Sequence, residues 1–266
     1  MRGPRYFTVS NEPGAPAPPL ALRALNFGIA LLAVTLVFWF SFWSLKFHLR
    51  WDSIYASRRM FARGWLATIW ISAAALAASA VMGFCSALAQ RSNFLPLRYL
   101  AKIYVELVRG TPLLVQILIF FYVVAPAFNI GDRYRYAVGI LTLAFFSGAY
   151  ISEIIRAGIE SVGRSQLESA KAIGLTRAQT YRYVIIPQAL RQTLPPLAGQ
   201  FVSLVKDSSL LSIISITEFT FNAEMVEART YSTLESYLPL AAGYLLLTLP
   251  ISLWTRRLER RHKFET

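Results

Sequence analysis

Two ionisable residues stand in an unexpected place: Lys206 and Asp207 sit near the middle of the otherwise apolar run 195–217. Ionisable groups at membrane depth are costly, usually face a bundle interior or a cavity, and often mark the path of a transported solute. Together with Gln200 and Ser203 on the same run, and Glu153 at the end of an earlier one, they could line or gate a passage for a polar molecule. A structural network that fixes helix packing or a dimer seam is the other reading. Adjacent helical positions are about 100° apart, so Lys206 and Asp207 do not point the same way, and both readings stay open. Glu153 is followed at i+3 by Arg156, a spacing that favours an intrahelical ion pair over contact with a solute. Residue types for covalent or acid–base catalysis are sparse. His48 and His262 lie far from any acidic cluster, and no G-x-x-x-x-G-K-[ST] phosphate loop occurs. A lone Cys85 excludes a disulfide framework and a Cys-based metal site, and reads as a small core hydrophobe.

The composition says what must position these residues. Of 266 residues, 55% are hydrophobic and 15% charged, with a mean hydropathy of +0.45; soluble domains carry about 25% charged residues. A net charge of +13 could suggest nucleic acid, but in a membrane protein basic residues gather in cytoplasmic loops. Apolar runs at 24–45, 65–90, 111–130, 136–155, 195–217 and 237–255 are each near the ~20 residues that cross a bilayer, giving six spans in an all-α membrane protein. The first lacks the short length and cleavage site of a signal peptide. Pro195-Pro196 suits the first turn of its helix. Residues 1–23 read as a disordered tail, and 258–266 as a basic one. Arg98 to Arg109 reads as an amphipathic lead-in, with a break at Arg109-Gly110-Thr111-Pro112 before the next span and Pro112 in its first turn.

With both termini inside, eighteen Lys and Arg fall on the cytoplasmic side and eight outside, as the positive-inside rule expects. The segment 46–63, with five basic residues, runs against that trend. The outer segment 218–236 follows it, with Glu218, Glu224, Glu227 and Glu235 against a single Arg229.

Between the fourth and fifth spans lies a polar stretch, ESAKAIGLTRAQTYRYVIIPQAL. Ser165 with Glu168, and Thr176 with Gln179, have the spacing of capping boxes. Gly174 falls where a helix ending in a left-handed residue favours glycine, and Pro187 should end or kink the second helix. The expected structure is helix 166–173, a turn at 174–175 and helix 177–186. A DNA-reading helix-turn-helix needs a packed partner helix, and the flanking spans leave little room for one.

Glu168, Ser169, Ala170, Gly174, Val184, Ile186 and Pro187 resemble the EAA motif of ABC-importer permeases: E-A-A, three residues, G, nine residues, then I-x-L-P. Ser169, Val184 and Ile186 depart from the pattern conservatively. YVELVRGTPLLVQ, GAYISEIIRAGIESV and PQALRQTLPPLAGQFVSLVKDSSL resemble the polar amino-acid branch, so that about 64–257 is covered. The resemblance implies a type I importer permease fold with one extra N-terminal helix, in a bacterial inner or plasma membrane. It implies no catalytic chemistry and no cofactor on this chain, with ATP and magnesium bound by a dimer of separate ATPase subunits. It also implies a second permease subunit, identical or not, an extracytoplasmic solute-binding protein and an amino-acid substrate. The coupling hairpin, 165–187, would dock in the ATPase through Glu168, Ser169, Ala170, Gly174 and Pro187. The alternatives are a secondary transporter, which would be expected to show internal repeats, a membrane enzyme, for which only Asp207 and Glu153 are available, and a membrane-tethered DNA-binding regulator.

Overall fold

Inside a lipid layer a backbone N–H or C=O has no water to bond, and a helix satisfies both within its own segment. Each apolar run is accordingly helical in the computed structural model, which describes residues 19–44 and 51–262. Most of the expected N-terminal tail, the end of the basic C-terminal tail, and Lys46, His48 and Arg50 lie outside the described residues. Helix α1 spans Leu20–Ser44, α2 Trp51–Gln90, α3 Leu95–Gly110 and α4 Leu113–Ala127. They are followed by α5, Arg135–Glu160, and the short α6, Arg164–Ala172. Then come α7, Arg177–Ile214, α8, Phe219–Thr230, and α9, Thr233–His262. Among the described residues five helices are long and apolar enough to cross a membrane, or six if the bent pair α3–α4 is one span. Helix α1 belongs to one compact unit of the chain and α2–α9 to a second.

Three boundaries differ from the sequence-based expectation. Helix α2 begins at Trp51, so most of the basic segment 46–63 is helix, not loop. At 1.5 Å per residue its 40 residues reach about 60 Å, twice the apolar thickness of a bilayer. The extension is held by tertiary packing: Phe61 is buried against Phe219, Ala223 and Val226 of α8, with Ile54 and Trp65 on the same face. Helix α7 starts at Arg177 and passes through Pro187, Pro195 and Pro196, so neither Pro187 nor the Pro195-Pro196 pair marks an end or a start. A π-helical turn at Tyr181–Ile185 ends with only Ile186 between it and Pro187 and shifts the hydrogen-bond register next to a ring that has no N–H to donate and crowds the preceding turn. Third, Pro112 lies just outside α4 as its N-cap, at a 110° bend between α3 and α4. Gln116 closes this bend, its Nε2 donating to the Val108 carbonyl at 2.8 Å and to Thr111 Oγ1 at 2.8 Å.

The core joins Ile71 of α2, Ile117 of α4, Leu143 of α5 and Leu204 and Leu211 of α7. Helices α2 and α5 approach closely where small residues let their backbones meet, as in other membrane helix pairs. A Cβ on Gly83 would lie 2.6 Å from Ile151 Cγ2 and 2.9 Å from the Gly148 carbonyl oxygen. Gly83→Val is therefore expected to lower the thermal stability of the detergent-purified protein by about 1–3 kcal/mol. Gly199→Ala, where nothing lies within 4 Å, should have little effect in the same measurement.

Candidate functional site

The polar hairpin is built by α6 and the first turns of α7. The α6 helix starts at Arg164, capped at Gly163 without a side-chain bond. Gln166 and Leu167 donate their N–H groups to the Gly163 carbonyl at 3.0 and 3.4 Å. The capping box expected from Ser165 and Glu168 is thus not formed: Ser165 is already inside the first turn. The helix end agrees more closely with the sequence. Gly174 adopts φ +79°, its N–H donates to the Lys171 carbonyl and that of Leu175 to Ala170, both at 3.0 Å, which is a Schellman motif. Thr176 and Gln179 then form a complete capping box. Two interlocked caps over 170–179 leave the turn little freedom. At its tip Ile173 is 75% exposed while Ala170 is 3% exposed, and Glu168 is exposed without an ion pair among the described residues.

A chain of polar contacts ties this hairpin to the ends of three helices. Arg91, just past α2, donates from Nη2 to the Tyr181 hydroxyl at 3.2 Å and lies 3.9 Å from Glu160 at the end of α5. Arg156 links Glu160 to Glu153, donating to the latter at 2.8 and 2.9 Å. Arg109, at the end of α3, stands 3.4 Å from Glu153. Gln90 of α2 donates to Ser152 Oγ at 2.9 Å and to Glu153 at 3.4 Å. These ion pairs are 21–50% exposed, where each is worth about 0–1 kcal/mol. Their value is geometric: they set where the hairpin sits against α2, α3 and α5.

The residues proposed to line a path are only partly brought together. Gln200, Ser203 and Asp207 follow one another at i, i+3 and i+7 of α7, all half-buried, and therefore share a face. Gln200 Nε2 donates to Ser147 Oγ of α5 at 3.0 Å. Lys206 points off that stripe, exposed and without an ion pair among the described residues. Glu153 stands apart, held by Arg156, Arg109 and Gln90.

Residues 79–264, from the second half of α2 onward, match the family described as the binding-protein-dependent transport system inner membrane component. The chain belongs to that family. This permease is 35% identical over 213 residues to the glutamine transport system permease protein GlnP of Escherichia coli (strain K12), covering 80% of this chain and 97% of that protein. It is 42% identical over 183 residues to the L-cystine transport system permease protein TcyB of Bacillus subtilis (strain 168), 68% and 77% of the two chains. A solved amino acid ABC transporter with histidines aligns with TM-score 0.75 at 35% identity, over 81% of this permease and all of that chain. An inward-facing MetNI methionine ABC transporter, at 15% identity and TM-score 0.63, shares the fold.

Several residues of the permease were not legible as site residues. Ile173 carries a signal in hindsight, an apolar residue placed at an exposed turn. Arg109 and Arg91 enter the polar chain only through tertiary approach. Glu218 counted only as a charge in an outer segment, yet it is fully buried and caps α8 through the N–H groups of Thr220 and Phe221 at 2.9 and 2.8 Å. Its carboxyl also accepts from Tyr244 of α9 at 3.0 Å and Thr68 of α2 at 3.3 Å, so one side chain joins three helices. Burial pushes the Glu218 carboxyl above its ordinary range, partly offset by the two backbone N–H groups. A carboxyl raised in the folded state holds its proton longer than the unfolded chain does. Its contribution to stability is therefore full below the ordinary carboxylate range and declines as pH rises through its folded value. Melting curves of wild type and Glu218→Gln across pH are expected to converge, or cross in favour of Gln, as pH rises. A wild-type advantage that grows with pH would overturn the assignment.

Proposed function

We propose that this permease carries a polar amino acid inward, as one of two permease subunits, driven by ATP hydrolysis on a separate pair of ATPase subunits that hold ATP and magnesium. The hairpin end and both termini lie in the cytoplasm, and an extracytoplasmic solute-binding protein delivers solute at the opposite end. The single observation that carries this reading is the hairpin itself. Its turn is locked by two caps, its second helix continues without interruption into a span, and its tip exposes Ile173. A hairpin of that construction transmits a displacement at its tip to the spans. Glu168, Ser169, Ala170, Gly174 and Pro187 form the docking element, with Ile173 as its apolar anchor. The amino-acid cargo is supported by the glutamine and cystine permeases to which the chain is similar.

Within the bundle, the stripe Gln200, Ser203 and Asp207 faces the solute's path, with Lys206 at its edge and Ser147 orienting Gln200. Glu153, bound to Arg156 and Arg109, acts as a positioning residue at the hairpin end.

The test is reconstitution in liposomes with the ATPase and binding protein, measuring uptake and solute-stimulated ATP hydrolysis together. Glu168→Lys, Gly174→Val and Ile173→Asp, assembled normally, should lose both by about tenfold or more, equivalent to ~1.4 kcal/mol of coupling. Asp207→Asn and Lys206→Met should retain stimulated hydrolysis while uptake or solute range changes. Unchanged stimulation in all three hairpin variants contradicts the docking assignment. Normal uptake and range in both α7 variants leaves those residues a packing role.

A further inference from the structure

Between the hairpin and the ends of α2 and α5 lies a cavity of about 790 Å³. Its rim carries Arg164 and Lys171 of α6, Arg177 at the start of α7, and Arg91 beyond α2. Arg164 and Lys171 are seven positions apart and so share one face of α6. Among the described residues, Arg164, Lys171 and Arg177 form no ion pair. Glu160, the one carboxylate among the lining side chains, is already bound by Arg156. The Tyr181 hydroxyl accepts from Arg91, so its own proton remains free to donate. The floor is apolar: Val162 and Ile185 are each only 7% exposed.

Basic side chains along a span end need no ligand when they are spread around a helix. Here they converge on one concavity with a greasy floor, at the level where α2 and α5 end and α7 begins. Arg164, Lys171 and Arg177 repel one another around a single carboxylate that Arg156 and Arg91 already hold, and a phosphate among them would relieve that repulsion with charge-assisted hydrogen bonds. A small soluble phosphate would use the rim and leave the floor bare. An amphiphile uses both, and basic pockets at span ends suit acidic headgroups.

We propose that this cavity binds the phosphate of an anionic phospholipid, headgroup among Arg164, Lys171 and Arg177, acyl chain leaving past Ile185 along α7. The site concerns this chain alone and holds whether or not the hairpin docks on an ATPase. The bound lipid fastens the inner face of the hairpin to the membrane surface, while Ile173 and the tip point away.

The test uses the full-length permease in phosphatidylcholine nanodiscs with increasing phosphatidylglycerol, reading lipid retention by native mass spectrometry and amide exchange over 164–181. Phosphatidylglycerol is expected to be retained in preference to phosphatidylcholine and to slow exchange in the hairpin. The triple change Arg164→Gln, Lys171→Gln, Arg177→Gln should weaken that retention by about tenfold or more. The charge-preserving set Arg164→Lys, Lys171→Arg, Arg177→Lys should keep it, which separates loss of charge from loss of fold. Equal retention of the two lipids, or of phosphatidylglycerol by wild type and the Gln variant, overturns the proposal. Protection by inorganic phosphate or glycerol phosphate equal to that by the lipid overturns it in favour of a soluble ligand. Hairpin protection that comes only on adding the ATPase overturns it in favour of an acidic protein surface.

Discussion

The uninterrupted helix from Arg177 to Ile214 is the constraint on which the rest of the molecule depends. Its first turns are one arm of the polar hairpin and its later turns are a span carrying Gln200, Ser203 and Asp207. A push on the hairpin is therefore a push on the span, with no loop in between to absorb it. Continuity through Pro187 is the delicate point, since proline removes a backbone donor and crowds the preceding turn. The π-helical turn at Tyr181–Ile185 takes up that mismatch. The same turn presents the Tyr181 hydroxyl to Arg91, so the device that accommodates the proline also anchors the hairpin to α2.

Around that lever the structure divides labour by chemistry. Between α2 and α5 the interface is close and rigid, because Gly83 and Gly148 let the backbones meet. At the hairpin end, exposed ion pairs from Arg91 to Arg109 position without adding much stability. At the other end, Glu218 does the opposite: buried and fully bonded, it pins α2, α8 and α9 together. Rigid packing at one end and weak, exchangeable pairs at the other fit the proposed role, in which the hairpin moves relative to some helices but not to its own span.

The legible parts are those decided by local interactions. The turn at Gly174 and the cap at Thr176–Gln179 are decided within a few residues, and the sequence announces both. Ser165 and Glu168 have equally good spacing, yet the helix begins at Arg164 and leaves Ser165 inside its first turn, so spacing alone did not decide the cap. Pro187 and Pro195-Pro196 looked like boundaries because local rules do not foresee a compensating π-turn or the support of neighbouring helices. The basic segment after 50 looked like a loop because its charges hide the face of Ile54, Phe61 and Trp65, which becomes meaningful only once α8 covers it. Lys206 and Asp207 were visible as misplaced charges pointing different ways, but which of them joins the half-buried stripe was decided by the neighbouring helices.

The central claim is that hairpin and span α7 move as one body, and a distance within that body tests it directly. Spin labels at Gln166→Cys on the hairpin and Ile213→Cys on the span, with Cys85, which is exposed and not in the core, replaced by Ser, report the length of the lever by pulsed electron resonance in the assembled transporter. A single narrow distance, the same at rest and with ATP bound, is the expected result. A distribution that broadens or shifts on ATP binding would show a hinge inside the lever and contradict the claim.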